Sequence, residues 1–170
     1  MILDFTDFVE ESYLDSNHAP LYHFTTIWHL KDILETNKLS VGYYDHLVNG
    51  EKTKIVSLTR DKNFNINYKE FEVKICLDKQ KLISNFKINP YDFFSVSKGD
   101  LKKWDLNRIN PFENEEVINY DIKNINKYIL YIDFFNIDYI YPYLRDIKFY
   151  INKYNIECRI NEKVIDINGI

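Results

Sequence analysis

The fold is decided by the stretch at residues 21–39, which reads LYHFTTIWHLKDILETNKL. Its first residues alternate between apolar and polar side chains, and this pattern predicts a short strand with His23 and Thr25 on one face. Apolar residues then recur at helical spacing, so a helix is expected to follow the strand directly. The stretch therefore places two polar side chains near the end of a strand, where a binding site can be built.

The limits of the predicted helix follow from its flanking residues. Thr25 or Thr26 can accept a hydrogen bond from the first free amides of the helix, and Asn37 can adopt the left-handed conformation that ends it. His29 lies inside the helix, and we interpret it as a partly exposed histidine outside the site. The helix is expected to support the strand from behind.

The composition indicates a soluble globular protein. The 170 residues fit one domain with a substantial core, and the combination of 45% hydrophobic with 28% charged residues excludes a disordered chain. A net charge of -4 provides no basic surface for nucleic acid across the whole molecule, although a local basic face is compatible with it. The sequence shows neither a signal peptide nor an apolar run of membrane-spanning length, so we expect a cytoplasmic protein without a membrane partner.

Two cysteines, Cys76 and Cys158, lie far apart in predicted strands. We predict that both are buried free thiols rather than the two halves of a disulfide. The Cys and His residues show no spacing that is typical of a zinc site, so no metal is expected.

The rest of the chain alternates strands with short helices. Strands are predicted at 55–61, 71–78 and 128–134, a short helix after Asp78, a longer helix at 143–154 and one or two strands at 157–167. Such a succession predicts an α+β protein. We treat residues 1–170 as a single domain with its core at about 20–134, an N-terminal helix at about 4–14 and a C-terminal helix and strand appendage at about 139–170.

The segment Val41–Lys54 is polar and irregular, and this pattern predicts a loop that can act as a mobile lid beside a site. Tyr43 and Tyr44 in this segment can either stack on a planar ligand or anchor the loop. His46 is expected to be exposed.

Two further groups of polar residues lie on segments that are predicted to be extended. Ser57 and Thr59 alternate with apolar neighbours, so their side chains should share one face. Glu113 and Glu115 are also two residues apart, which places them on one face of their segment and Glu116 on the other.

Three groups of residues stand in a recognisable order along the chain: His23-Phe24-Thr25, Ser57-Leu58-Thr59 and Glu113-Asn114-Glu115-Glu116. This order resembles the ADP-ribosyltransferase superfamily, which carries a histidine on the first strand, a Ser-x-Thr strand and a late catalytic glutamate. The opening Tyr-His-x-Thr and its helix also resemble DarT-type DNA ADP-ribosyltransferases and RNA 2′-phosphotransferases. The resemblance spans about residues 20–134, with Asn37 where the helix of the family usually ends in glycine.

The resemblance implies an α+β fold in which a split pair of antiparallel β-sheets with flanking helices forms a cleft for NAD. The implied reaction breaks the bond between nicotinamide and ribose through an oxocarbenium-like transition state. A carboxylate can stabilise this positive charge and can deprotonate the incoming nucleophile. We assign the catalytic role to Glu115 and an acceptor-orienting role to Glu113, and the choice among Glu113, Glu115 and Glu116 stays open.

The resemblance also implies how the first strand would hold NAD. His23, assisted by Thr25, would hydrogen-bond a ribose hydroxyl, because a neutral imidazole offers one donor and one acceptor. The backbone of Phe24 would meet the amide of the nicotinamide.

The second strand would complete the cleft. Ser57 and Thr59 would line it beside the nicotinamide ribose. Arg60 follows at the end of the strand, where its guanidinium could pair with the pyrophosphate or, equally well, with Asp61 or a glutamate.

The sequence therefore predicts an NAD-dependent mono-ADP-ribosyltransferase that uses NAD as a co-substrate and modifies a macromolecular acceptor, either protein or nucleic acid. The small size fits a toxin or a phage-encoded enzyme that modifies its host, and a neutralising partner protein is left open. Three alternatives also stay open. They are an NAD glycohydrolase, a catalytically inactive member that binds a partner or nucleotide, and a protein of unrelated fold.

Overall fold

The computed structural model describes residues 19–48, 51–63, 71–91 and 115–170, so the helix expected at 4–14 lies outside the described residues. The helices are α1 (Ile27–Thr36), α2 (Lys79–Ile83) and α3 (Leu144–Tyr154). The strands are β1 (Leu21–Thr25), β2 (Lys38–Leu39), β3 (Gly42–Val48), β4 (Glu51–Thr59), β5 (Val73–Leu77), β6 (Asn89–Tyr91), β7 (Glu115–Ile118), β8 (Ile122–Lys123), β9 (Ile129–Phe134), β10 (Glu157–Ile160) and β11 (Lys163–Ile165).

These elements form an α+β fold, as the sequence predicts, with one large mixed sheet and one small sheet. The large sheet follows the order β11-β10-β9-β5-β1-β4-β7-β6, and β3 pairs with β4 beside this path. The pairing of β9 with β10 is parallel, whereas the other strand pairs in this order are antiparallel. The small sheet consists of β2 and β8. The parallel pair needs a long connection between its strands, and this connection contains α3.

The helix α1 begins and ends where the sequence predicts. The Thr26 side chain accepts a hydrogen bond from the backbone N–H of His29, which makes Thr26 the N-cap. Asn37 has a φ of 50°, in the left-handed region, and its N–H donates to the carbonyls of Ile33 and Leu34. The two caps fix the position of α1 immediately after β1.

The two faces of β1 contact different parts of the interior. Leu21 belongs to the large core, together with Leu30 and Leu34 of α1. Tyr22 and Phe24 instead belong to a smaller apolar cluster with Cys76 and with partly buried aromatic rings. Since side chains alternate along a strand, His23 and Thr25 share the face of Leu21. The polar pair therefore lies on the side of the sheet that α1 covers.

The segment expected to form a C-terminal appendage contributes to the same interior. Ile147 and Ile151 of α3 are buried in the large core, as is Cys158 of β10. The strand β10 also extends the large sheet by pairing with β9, in the register Cys158 with Ile132.

The lid expected at Val41–Lys54 is wrong, because this segment forms most of an antiparallel hairpin. Gly42 pairs with Ile55, and Val48 pairs with Glu51. Asn49-Gly50 lies outside the described residues, but this dipeptide is a strong sequence signal for a two-residue hairpin turn. The prediction gave more weight to the polarity of the segment than to this turn signal, although edge strands often carry polar residues.

A buried ion pair attaches the turn between β10 and β11 to the sheet. The Lys74 side chain is 2% exposed, and its Nζ lies 3.2 Å from Asp133 Oδ2 and 3.3 Å from Glu162 Oε1. The backbone N–H of Glu162 also donates to Asp133 Oδ1 at 3.0 Å. Because removing one partner would leave an uncompensated buried charge, these residues depend on one another.

The longest helix among the described residues, α3, has 11 residues. In this part of the chain, none of the helices has the length and apolar character that would let it cross a membrane.

The prediction that both cysteines are buried free thiols is confirmed. Burial raises the pKa of the Cys76 thiol to about 11 and that of the Cys158 thiol to about 12. Since the thiolate is the reactive form, we expect Ellman's reagent at pH 8 to react with the folded protein at least about 100-fold more slowly than with the unfolded protein. Absorbance at 412 nm measures this rate, and the protein in guanidinium chloride provides the control. A rapid reaction of either thiol in the folded protein would contradict the burial.

Candidate functional site

A cavity of about 570 Å³ lies where β1, β4 and α1 meet. This volume falls within the range of roughly 300–1,000 Å³ that small-molecule sites occupy. The strand side of its wall includes His23, Phe24, Thr25, Ile55, Val56 and Ser57, with Phe71 beside them. Four residues that were predicted to bind a ligand, His23, Phe24, Thr25 and Ser57, are therefore brought together at one cavity.

The cavity lies next to a short contact between β1 and β4. β1 pairs with β5 at five positions, from Leu21 to Thr25, but it pairs with β4 at the single position of Tyr22 with Thr59. Beyond this position the His23 imidazole approaches β4, and its Nδ1 lies 3.0 Å from the Ser57 carbonyl oxygen. A side chain thus joins the two strands at the edge of the cavity.

The hydrogen bond with Ser57 defines the state of the His23 imidazole. A carbonyl oxygen can only accept, so Nδ1 carries the proton, and in the neutral ring Nε2 is then an acceptor. Burial lowers the pKa of His23, the hydrogen bond to Ser57 opposes this shift, and the nearby His29 lowers the pKa further. His23 is therefore neutral at pH 7 and can accept a hydrogen bond from a ligand hydroxyl. The resemblance implied a role for the Ser57 side chain, whereas the observed contact uses its backbone.

The opposite wall of the cavity is a polar stripe on α1. His29, Asp32 and Thr36 are separated by three and four residues, which places them on one face of the helix, and all three line the cavity. The Thr36 hydroxyl donates to the Asp32 carbonyl at 2.6 Å. Neither Asp32 nor Thr36 is among the residues predicted from the sequence, and His29 was interpreted as lying outside the site. Their helical spacing beside the apolar stripe of α1 is the signal that could have identified them.

A cation lies at the end of the cavity that follows α1. Lys38 lines the cavity, and its Nζ is 3.3 Å from Asp121 Oδ2. The other oxygen of Asp121 accepts a hydrogen bond from the backbone N–H of Val41 at 2.9 Å. This hydrogen bond, followed by the interaction with Lys38, lowers the pKa of Asp121. Asp121 is thus an ionised, fixed partner for Lys38.

Glu116, one of the three candidate catalytic glutamates, is part of a buried ion-pair network. Its carboxylate lies 2.7 Å from Lys79 Nζ and 3.4 Å from Arg60 Nε, and the residue is 5% exposed. Arg60 therefore contacts a glutamate, which is one of the three partners considered from the sequence. Glu116 and Arg60 do not occur among the described residues that line the cavity.

The other predicted site residues lie in different environments. Thr59 is buried outside the cavity wall, where its hydroxyl accepts a hydrogen bond from the N–H of Asp61 at 3.0 Å. Glu115 begins β7 as the register partner of Thr59. Tyr43 and Tyr44 belong to β3 rather than to a loop. Only the backbone is described for Glu115, Tyr43 and Tyr44, and Glu113 lies outside the described residues.

The lowered pKa of His23 makes a prediction about folding stability. The unfolded chain binds a proton at this histidine near pH 6.5, whereas the folded protein does so only at lower pH, so the stabilising contribution is complete above about pH 6.5 and is lost as the pH falls. We expect His23→Gln, whose amide can still donate to Ser57, to lose less stability than the wild type between pH 7.5 and pH 5. Urea unfolding across this pH range measures the difference. Identical pH profiles would show that His23 titrates alike in both states.

The buried network around Glu116 makes a second prediction. Glu116→Gln removes the charge that faces Lys79 and should lower the free energy of unfolding by about 3 kcal/mol, because breaking a buried ion pair leaves its partner uncompensated. Glu35→Gln is the matched control, since Glu35 pairs with Lys31 at 2.9 Å on the surface and its loss should have a much smaller effect. Urea unfolding at pH 7 compares the two variants, and equal effects would mean that Glu116 is not a structural carboxylate.

No protein-family model, curated protein or solved structure matches this chain.

Proposed function

We propose that the protein is an NAD-dependent mono-ADP-ribosyltransferase, that the cavity between β1, β4 and α1 binds NAD, and that the ADP-ribose is transferred to a macromolecular acceptor. The observation that carries this proposal is the His23 imidazole. It is held by the Ser57 carbonyl at 3.0 Å, and its Nε2 is an acceptor at the wall of a cavity of about 570 Å³. A ribose hydroxyl is a donor that matches this acceptor, and Thr25 beside it adds a second hydroxyl partner.

The strand arrangement supports an ADP-ribosyltransferase-like fold with a split sheet. Such a fold needs two groups of strands that separate to form a cleft. The contact between β1 and β4 at one residue pair, next to the cavity, is consistent with such a separation. The antiparallel groups on the two sides would be β1-β5-β9 and β4-β7-β6.

The proposed reaction transfers ADP-ribose to a new nucleophile, which becomes bonded to the C1′ carbon of the ribose that carried nicotinamide. The bond between C1′ and the nicotinamide nitrogen breaks, and its electron pair leaves with nicotinamide. A bond then forms between C1′ and the acceptor atom, whose proton passes to a base. Positive charge on the ribose requires a nearby carboxylate in the transition state.

We assign this carboxylate to Glu115, with Glu113 orienting the acceptor. The burial of Glu116 and its pairing with Lys79 at 2.7 Å support this choice, because a carboxylate that neutralises a buried ammonium is poorly suited to stabilise a second positive charge. The remaining two glutamates of the motif are then the candidates. Of these, Glu115 is described, and its register partner Thr59 pairs in turn with Tyr22, the neighbour of His23.

A second candidate function is a nucleotide-binding protein without catalysis. Among the described residues that line the cavity, the carboxylate is Asp32, and none of the candidate glutamates occurs there. This observation favours binding without catalysis. In this case the cavity would bind NAD or a related nucleotide, and no bond would be broken.

Incubation with NAD that carries a label in its adenylate half, in the presence of cell lysate, tests the proposed activity. We expect the wild type to release nicotinamide and to label macromolecules. Glu115→Gln should lower the rate at least about 100-fold with little change in NAD affinity, because the carboxylate acts mainly on the transition state. Glu35→Gln is the matched carboxylate control, because Glu35 pairs with Lys31 on the surface of α1, and it should retain the rate within a few-fold. His23→Ala should weaken NAD binding measured by calorimetry.

Each alternative gives a different result in the same experiment. NAD binding without nicotinamide release by the wild type would support the binding protein, and nicotinamide release without labelled macromolecules would indicate an NAD glycohydrolase. An unaltered rate in Glu115→Gln would overturn the assignment of the carboxylate. If the wild type binds neither NAD nor a related nucleotide, both candidate functions are excluded.

A further inference from the structure

The cavity runs beside α1, and the residues that line its two ends differ in chemistry. The α1 residues that line it run from His29 to Thr36, a rise of about 10 Å at about 1.5 Å per residue. His29 lies near the beginning of α1, close enough to His23 to affect the charge state of that imidazole. Lys38 lies two residues after the end of α1, at the other end of the cavity. A ligand that reaches from His23 to Lys38 therefore needs a hydrogen-bond donor for the imidazole at one end and an anionic group for the ammonium at the other.

Lys38 supplies the permanent positive charge of this cavity. It is the one lysine or arginine among the described residues that line the wall. Arg60, the other basic residue considered from the sequence, contacts buried Glu116 instead. The Lys38 side chain is 34% exposed, so its ammonium is accessible to a ligand.

From this geometry we propose that Lys38 binds a phosphate group of the ligand and makes the cavity select phosphorylated nucleotides over the corresponding nucleosides. This inference rests on the proposed NAD site. We place the ribose at His23 and its 5′-phosphate at the Lys38 end, because Lys38 is the cation among the described residues of the cavity wall. The lysine ammonium is a compact charge with three donors and binds phosphate oxygens well.

The contact with Asp121 holds the Lys38 ammonium in place before a ligand arrives. The Nζ to Oδ2 distance is 3.3 Å, and Asp121 is itself anchored by the N–H of Val41. The side chain therefore need not be ordered from a fully mobile state when phosphate binds, which lowers the entropic cost of binding. Phosphate and Asp121 share the ammonium, so Asp121 also limits how strongly phosphate is bound.

Other charges near this end of the cavity oppose an anion. The carboxyl-terminal end of a helix carries partial negative charge, and Asp32 lines the same wall. Lys38 must therefore provide the attraction that overcomes both. For this reason the loss of its charge should affect phosphate binding strongly.

Calorimetry with nicotinamide mononucleotide and nicotinamide riboside tests the inference, because the two ligands differ by one phosphate. The wild type should bind the mononucleotide more tightly. Lys38→Met should weaken mononucleotide binding by about tenfold and change riboside binding less than twofold. Lys38→Arg keeps the charge and should retain most of the preference.

Two further variants separate a specific contact from a general charge effect. Lys123 lies opposite Lys38 in the small sheet and is exposed, so Lys123→Met removes a neighbouring charge outside the described cavity wall and should change mononucleotide binding much less than Lys38→Met does. Asp121→Asn can still accept from Val41 but no longer neutralises Lys38, and it should bind the mononucleotide at least as tightly as the wild type.

The outcomes distinguish this inference from the proposed function. If the wild type binds NAD but shows no preference for the mononucleotide, or if Lys38→Met and Lys123→Met act alike, Lys38 is not the phosphate-binding residue and the NAD site stands. If the wild type binds neither NAD nor the mononucleotide, the proposed function fails and this inference fails with it.

Discussion

The hydrogen bond from His23 to the Ser57 carbonyl joins two strands at the point where the cavity begins. β1 and β4 are paired at Tyr22 with Thr59, and next to this pair His23 Nδ1 lies 3.0 Å from the carbonyl oxygen of Ser57 in β4. This one contact fixes the ring orientation, keeps the proton on Nδ1 and presents Nε2 as an acceptor. Because desolvation also lowers the pKa of the ring, it is kept neutral. The geometry of the cavity and the chemistry of its most informative residue therefore depend on the same interaction.

Two groups of charged residues in the described structure have different roles. Lys74 with Asp133, and Lys79 with Glu116, are buried pairs in which each charge is compensated by its partner. Such pairs restrict how the strands can be arranged, since a change of register would leave a charge buried alone. At the cavity, Lys38 is partly exposed and remains accessible to a ligand. Burial, rather than residue type, separates the structural carboxylates and lysines from those that can act on a ligand.

Several parts of the structure could be predicted because the responsible interactions are local. The Thr26 cap and the left-handed Asn37 determine α1, and the apolar stripe of α3 follows from helical spacing. The hairpin of β3 and β4 was missed, although Asn49-Gly50 is typical of its turn, because the polar composition of the segment was given more weight. Lys74 could not be recognised as buried, since its partners Asp133 and Glu162 are distant along the chain.

The candidate site shows the same division between local and distant interactions. The sequence by itself determined that His23 and Thr25 share one face of a strand that leads into a helix, because both features depend on residues within one or two turns of each other. It also determined that Ser57 lies on an extended segment, but not that the Ser57 carbonyl would accept a hydrogen bond from His23. Only the tertiary structure decided this contact, the position of Lys38 at the other end of the cavity and the burial of Glu116. These features depend on strand register, on the packing of separate elements and on contacts between residues that are more than thirty positions apart. A local sequence pattern does not encode such interactions.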